Sequence, residues 1–230
     1  MPVLVPIPQP TVFGRLYAPD PKDIAYKIES PSALRMYLRP SQMWTAGPIT
    51  NQGRFPHCVG HAWRQMLEAS PVRRGQRTLP SPEDIYRRAQ RVDEWPGEDY
   101  DGTSVRAGAK VLQEMGLIKE YRWASDIETA RRYVLSRGPL VVGTEWYEGM
   151  SLPAFSKGDA YLTPVGENMG GHAYVIIGYS HSRRAFRMIN SWGTRWGENG
   201  RAWIDYDVMN ELLFHMNGEA CSAVEFDTLL

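Results

Sequence analysis

The feature that most constrains this chain is a change of texture at Gly138-Pro139. Before it, apolar residues recur at helical spacing between proline and glycine breaks; after it, they come in short alternating or continuous runs. Cys58 to about Ala69 carries Ala62, Trp63, Met66 and Leu67 on one helical stripe, which Pro71 ends. Ser81-Pro82-Glu83-Asp84 combines an N-cap, a proline at the first helical position and two first-turn acids, so a second helix should run to about Val92. Thr103 or Ser104 opens a third helix that Gly116 closes, and Ser125 with Glu128 matches a capping box for a fourth that ends near Gly138-Pro139. Beyond it, Leu140 to Trp146, His172 to Tyr179, Ala185 to Asn190 and Arg201 to Tyr206 read as antiparallel strands. Helices first and strands second predict an α+β chain with two lobes, and a cleft between lobes is a common place for a ligand.

The first 47 residues differ. Prolines from Pro2 to Pro40 break any regular period, which predicts an extended strap over 1–47 ahead of a domain over 48–230, with a helical lobe at about 48–136 and a β lobe at about 137–230. A chain of 230 residues buries a sizeable core without staples. The 26 basic and 26 acidic residues cancel, and no basic block exceeds a pair, so nucleic acid is not an expected partner. No apolar run is long enough to cross a bilayer, and Met1 to Pro10 has no basic region of the kind that opens a signal peptide. Cys58 and Cys221 alone do not make a disulfide framework; two free thiols in a reducing, cytoplasmic setting fit best. No pattern calls for a cofactor, and nothing in the sequence sets the oligomeric state.

A cysteine is a useful nucleophile only as thiolate, and a helix N-terminus with a nearby imidazolium can lower its pKa well below ~8.5. Cys58 has the predicted helix N-terminus. His172 opens an apolar strand after Gly170-Gly171, where its side chain can face a cleft while Tyr174 to Ile177 pack the core. In Asn190-Ser191-Trp192-Gly193 an asparagine carbonyl can accept from one imidazole nitrogen and fix the tautomer, leaving the other nitrogen for the thiol. The adjacent tryptophan can keep water off that bond.

The run Asn190-Ser191-Trp192-Gly193-Thr194-Arg195-Trp196-Gly197-Glu198-Asn199-Gly200 resembles the asparagine motif of the papain family of cysteine peptidases. Gly171-His172-Ala173 and the strand ending at Gly178-Tyr179 resemble the family's histidine motif, and Gln52-Gly53 followed by Cys58 its glutamine and cysteine motif. The resemblance implies a papain-like two-lobed fold, a helical first lobe and an antiparallel β-barrel-like second lobe with the active site between them. It implies hydrolysis of peptide or protein substrates through a thioester on Cys58, with His172 as acid/base and Asn190 as its orienter. Gln52 and the Cys58 backbone N–H would form the oxyanion hole, and Trp192 would cover the His172–Asn190 pair. Gly102 would pair with the backbone of an extended substrate, Gly143 and Gly170 would wall the main specificity pocket, and Gly171 would join them in binding substrate.

Some positions depart from the family pattern. Phe55-Pro56-His57-Cys58-Val59 lacks the family's first cysteine and its tryptophan, and Asp101 stands for a usual glycine. Cys58 precedes His172 by 114 residues, fewer than the ~130–150 of papain itself, which implies shorter loops in the second lobe. Pro19-Asp20-Pro21-Lys22-Asp23 resembles the leader of short bacterial-type members. The prolines rule out the long helices of the family's inhibitory propeptide, so the strap is expected on the outside of the lobes, anchored by Val12, Phe13, Leu16, Tyr17 and Tyr26, on an enzyme active as translated. Rival readings are a catalytically silent peptide-binding protein on the same fold and a Cys-His-Asn acyltransferase or peptide ligase. A metal set of His57, Cys58, His61 and Cys221 would leave Gln52, His172 and Asn190 unexplained.

Overall fold

The computed structural model describes residues 13–28, 40–72 and 78–224. A 3-10 turn over Pro21–Tyr26 precedes β1 (Ser41–Met43), α1 (Cys58–Glu68), α2 (Pro82–Gln90), α3 (Val105–Glu114), β2 (Glu120–Trp123), α4 (Ile127–Ser136), β3 (Leu140–Tyr147) and α5 (Glu148–Ser151). Then follow β4 (Ala154–Ser156), β5 (Asp159–Tyr161), β6 (Asn168–Ser180), β7 (Ala185–Ile189), β8 (Arg201–Asp205), α6 (Tyr206–Phe214) and β9 (Glu219–Val224). Side-chain caps set the helix starts: Ser81 Oγ accepts from the Asp84 N–H and Ser104 Oγ from the Ala107 N–H, each at 3.0 Å. At α4 the cap is Asp126 rather than Ser125. Its carboxylate accepts from the Thr129 N–H at 2.7 Å, and Ser125 donates to the same carboxylate at 2.9 Å. A charged acceptor makes the stronger cap.

The sheet runs β2-β9-β3-β6-β7-β8-β5-β4, with β1 also on β6, and every pair is antiparallel except β5 with β8. Among the described residues the path is open, so the second lobe is an open sheet and not a closed barrel. The central strands are apolar on both faces because alternate residues feed different cores. Val141, Val175, Ile177 and Cys221 pack with Trp63, Met66 and Leu112 from α1 and α3. Val142, Tyr174, Ile176 and Met188 pack with Val134 from α4 and Leu212 from α6. Thus α4 precedes Pro139 in sequence but shares the core on the other face of the sheet from α1 and α3.

This sandwiching brings the start of α1 to the start of β6. Gly60 lets α2 approach closely, since a Cβ there would lie 2.0 Å from the Pro82 carbonyl oxygen. The strap is clamped by Arg106 of α3, a buried guanidinium that donates to the Ala18 carbonyl at 2.6 Å and pairs with Glu94 at 3.1 Å and with Asp23. Tyr26 stacks on Tyr121, and the Ile28 N–H donates to the Trp123 carbonyl at 2.8 Å. Val12 lies outside the described residues. Among the described residues no helix is long and apolar enough to cross a membrane.

The Gly60 contact is backbone against backbone, so it cannot relax by a rotamer change. Gly60→Ala is expected to destabilise the fold by about 2 kcal/mol or more, read as a lowered urea midpoint. An unchanged midpoint would show that α1 and α2 are not so closely packed.

Candidate active site

His172 sits on β6, and Asn190 directly follows the neighbouring strand β7. The pairing of these strands brings His172 Nε2 to 2.8 Å from Asn190 Oδ1, which also accepts from the Ser191 N–H at 2.8 Å. Because the carbonyl oxygen can only accept, the ring proton is assigned to Nε2. Nδ1 is left buried and, among the described residues, without a hydrogen-bond partner. The ring lies among Trp146 (4.7 Å between centroids), Trp192 (5.1 Å) and Phe13 (5.8 Å). Burial lowers the His172 pKa to about 4, although the Asn190 bond pulls it upward. The imidazole is therefore neutral.

Cys58 is the first residue of α1 and is completely buried. Burial raises its pKa to about 11, while backbone hydrogen bonds from Ala173, Gly14 and Val59 pull it down. The activated thiolate expected from the sequence is thus not the form this arrangement holds. Loss of water outweighs the helix N-terminus, and the neutral imidazole supplies no opposing charge.

Gln52 ties the loop before Cys58 to the residue after Asn190. Its N–H donates to the Ser191 carbonyl at 2.8 Å, its Oε1 accepts from Ser191 Oγ at 2.6 Å, and its Nε2 donates to the Phe55 carbonyl at 2.7 Å. It lines a cavity of about 360 Å³ with Asn51, Phe55, His57, His61 and Glu83. His57 packs on Tyr86 with centroids 4.4 Å apart, and burial lowers the His61 pKa to about 3. Among the described residues no group of three or more His, Cys, Asp or Glu could hold a metal ion, so His57, Cys58, His61 and Cys221 do not converge.

The five positions expected to bind substrate do converge, and the chain's own strap lies against all of them. The Thr103 N–H, beside Gly102, donates to the Gly14 carbonyl at 2.9 Å, and the Leu16 N–H donates to the Thr103 carbonyl at 3.0 Å. On the other side the Arg15 N–H donates to the Gly171 carbonyl at 2.9 Å. A Cβ on Gly171 would lie 2.2 Å from the Arg15 carbonyl oxygen, one on Gly170 3.2 Å from Phe13, and one on Gly143 2.7 Å from Arg15 Nε. The ring centroids of Phe13 and Trp192 are 6.1 Å apart. Phe13 to Leu16 therefore threads the cleft between the lobes and does not pack outside them, as its prolines suggested. Gly14 is pressed over the nucleophile loop, where a Cβ would lie 1.8 Å from the Pro56 carbonyl oxygen. Sequence reasoning missed Arg15, Glu219 and Tyr86, whose hydroxyl accepts from the Gly102 N–H at 2.9 Å. None of the three stands in a recognisable motif.

The fold is papain-like. Xylellain, a cysteine protease from Xylella fastidiosa, matches with a TM-score of 0.70 at 20% identity over 95% of this chain and 98% of that one. A digestive procathepsin L2 proteinase from the Tenebrio molitor larval midgut matches with a TM-score of 0.68 at 17% identity, over 96% and 81%. Residues 82–222 match the model of the papain family of cysteine proteases, and the chain belongs to that family. An uncharacterized peptidase C1-like protein of Acanthamoeba polyphaga mimivirus is 23% identical over 65% of this chain and 61% of its own length. Cathepsin B-like cysteine proteinase 3 of Ostertagia ostertagi is 33% identical over 45% and 65% respectively. The chain thus spans less than two thirds of the length of these curated relatives.

The buried histidines make stability depend on acid. As pH falls below the ordinary value of 6.5, the unfolded chain takes up protons that folded His172 refuses down to about 4 and His61 down to about 3. Their contribution is therefore complete above about pH 6.5 and lost on acidification, at about 2 kcal/mol per histidine by pH 5. The urea midpoint should drop between about pH 7.5 and pH 5, and His61→Gln should remove about half of that drop. Equal midpoints at the two pH values would mean that the rings are solvated.

Proposed function

We propose that this chain is a cysteine peptidase that hydrolyses peptide bonds in peptide or protein substrates, with Cys58 as nucleophile and His172 as general acid/base. One observation carries the reading: His172 is held by Asn190 through Nε2 at 2.8 Å, while its Nδ1 has no hydrogen-bond partner among the described residues and the amide of the next residue, Ala173, bonds the Cys58 thiol. This arrangement supports the nucleophile–base–orienter order that acyl transfer by a thiol needs. Nδ1 takes the proton from sulfur, and the thiolate attacks the substrate carbonyl carbon. The negative charge that develops on the carbonyl oxygen meets the Cys58 backbone N–H and the second amide hydrogen of Gln52, the first being bonded to Phe55. Collapse breaks the C–N bond, and the imidazolium protonates the departing amine. Water, deprotonated by His172, then cleaves the thioester. Trp192 shields the His172–Asn190 bond throughout. Two free cysteines support a reducing, cytoplasmic setting for this chemistry.

Cys58 and His172 are both fully buried, so the strap must leave the cleft before a substrate can enter. Gly14→Ala should drive it out, because the new methyl would meet the Pro56 carbonyl. The test is turnover of a panel of fluorogenic peptides. Gly14→Ala should raise the rate, Cys58→Ser should abolish it, and His172→Ala should cost about a hundredfold or more and exceed the loss in Asn190→Ala. Hydrolysis that survives Cys58→Ser, or a Gly14→Ala chain inert toward every peptide, would refute the reading.

A further inference from the structure

The strap is bound in the cleft as an extended peptide with main-chain hydrogen bonds to both lobes, and one of its side chains is swallowed whole. Arg15 has a fully buried side chain. Its Nε donates to Glu219 Oε1 at 3.0 Å, and a terminal nitrogen donates to the Asn217 carbonyl at 2.7 Å. Its other terminal nitrogen lies 3.8 Å from Glu145, and Tyr17 covers the guanidinium at 4.8 Å. Gly143 makes the room: a Cβ there would be 2.7 Å from Arg15 Nε and 2.9 Å from Glu219 Oε1. Burial raises the pKa of the Glu219 carboxyl, and Arg15 is the chief influence that lowers it. Remove the cation, and the buried acid loses its hydrogen-bonded partner and its chief balancing charge, with Arg106 the lesser influence left.

We infer that Glu219 is the specificity-determining residue of this cleft and that the pocket behind Gly143 takes an arginine side chain of the substrate, a place now held by the chain's own Arg15. The inference rests on the peptidase reading and adds the class of substrate. The main chain of the strap uses the two edges, at Thr103 and at Gly171, that any extended peptide in this cleft would use, so the pocket beneath Arg15 is open to a substrate side chain. Guanidinium suits it better than ammonium. Nε and a terminal nitrogen reach two separate acceptors, a carboxylate and a carbonyl, whereas a lysine presents one point charge on a flexible stem. A leucine would leave Glu219 buried and unpaired, and a glutamate would oppose it.

The test uses the full chain and fluorogenic peptides carrying Arg, Lys, Leu or Glu in turn at each of the three positions before the scissile bond. At one position, arginine should raise kcat/KM over leucine by about tenfold or more, with lysine between them. Glu219→Gln, which keeps the shape and removes the charge, should erase that preference by lowering kcat/KM for the arginine peptide and raising it for the leucine peptide. Gly143→Ala, which fills the pocket and crowds Glu219 Oε1 while leaving its charge in place, should also erase it, so a folding defect in one variant does not decide the matter. Cleavage of peptides with no preference for arginine overturns the inference and leaves the peptidase reading standing. If no peptide is cleaved, the pocket is read by binding. N-acetyl-arginine amide should raise the melting temperature of Arg15→Ala and not that of Arg15→Ala with Glu219→Gln, and equal effects on the two would overturn the inference.

Discussion

The structure depends on the exclusion of water from the cleft between its two lobes. Cys58 and His172 are both fully buried, and burial is the largest influence on each, raising the thiol to about 11 and lowering the imidazole to about 4. Both shifts act in one direction: they keep the proton on sulfur. The groups that would favour the charged pair are all in place, since the helix N-terminus, the backbone amides and the Asn190 bond each oppose burial. They are outweighed only while the cleft is dry. Removing the strap would readmit water and let the same groups stabilise thiolate and imidazolium.

The fold explains how a short strap can do this. Because β3 and β6 are apolar on both faces, helices cover the sheet on both sides, and the end of one cover, Cys58, meets β6 at Ala173. The interlobe seam therefore has two free backbone edges, Thr103 on one side and Gly171 on the other. An extended segment satisfies both. The glycines at 102, 143, 170 and 171 are where a Cβ would strike it. Arg15 then locks the segment into a pocket that ends in Glu219, and Arg106 fixes the chain as it leaves.

Much of this was legible in the sequence because the signals were long or chemically specific. The stripe of α1, the caps at Ser81 and Ser104 and the apolar runs of β3, β6 and β7 each carry enough residues to outvote local noise. The Asn190 to Gly200 run is specific, and in the structure Asn190 bonds His172. Among the elements that escaped were short or edge strands: β2 and β9 span 4 and 6 residues, and β9 reads Glu-Ala-Cys-Ser-Ala-Val, with few of the branched residues that mark strands. The strap's path was misjudged for a physical reason. Its prolines exclude helix, but an extended chain is also what a cleft with two backbone edges binds. Glu219 gave no signal, because one acid near a chain end becomes meaningful only when the fold buries it against Arg15.

The most direct test of the central claim is the rate of Cys58 alkylation by iodoacetamide as a function of pH, in the full chain and in Gly14→Ala. If a dry cleft holds the proton on sulfur, the full chain should react slowly near neutral pH and gain speed only as pH climbs toward about 11, whereas Gly14→Ala should react rapidly near pH 7. Equally fast labelling of both at neutral pH would contradict it, for the thiol would then be a solvated thiolate with the strap in place.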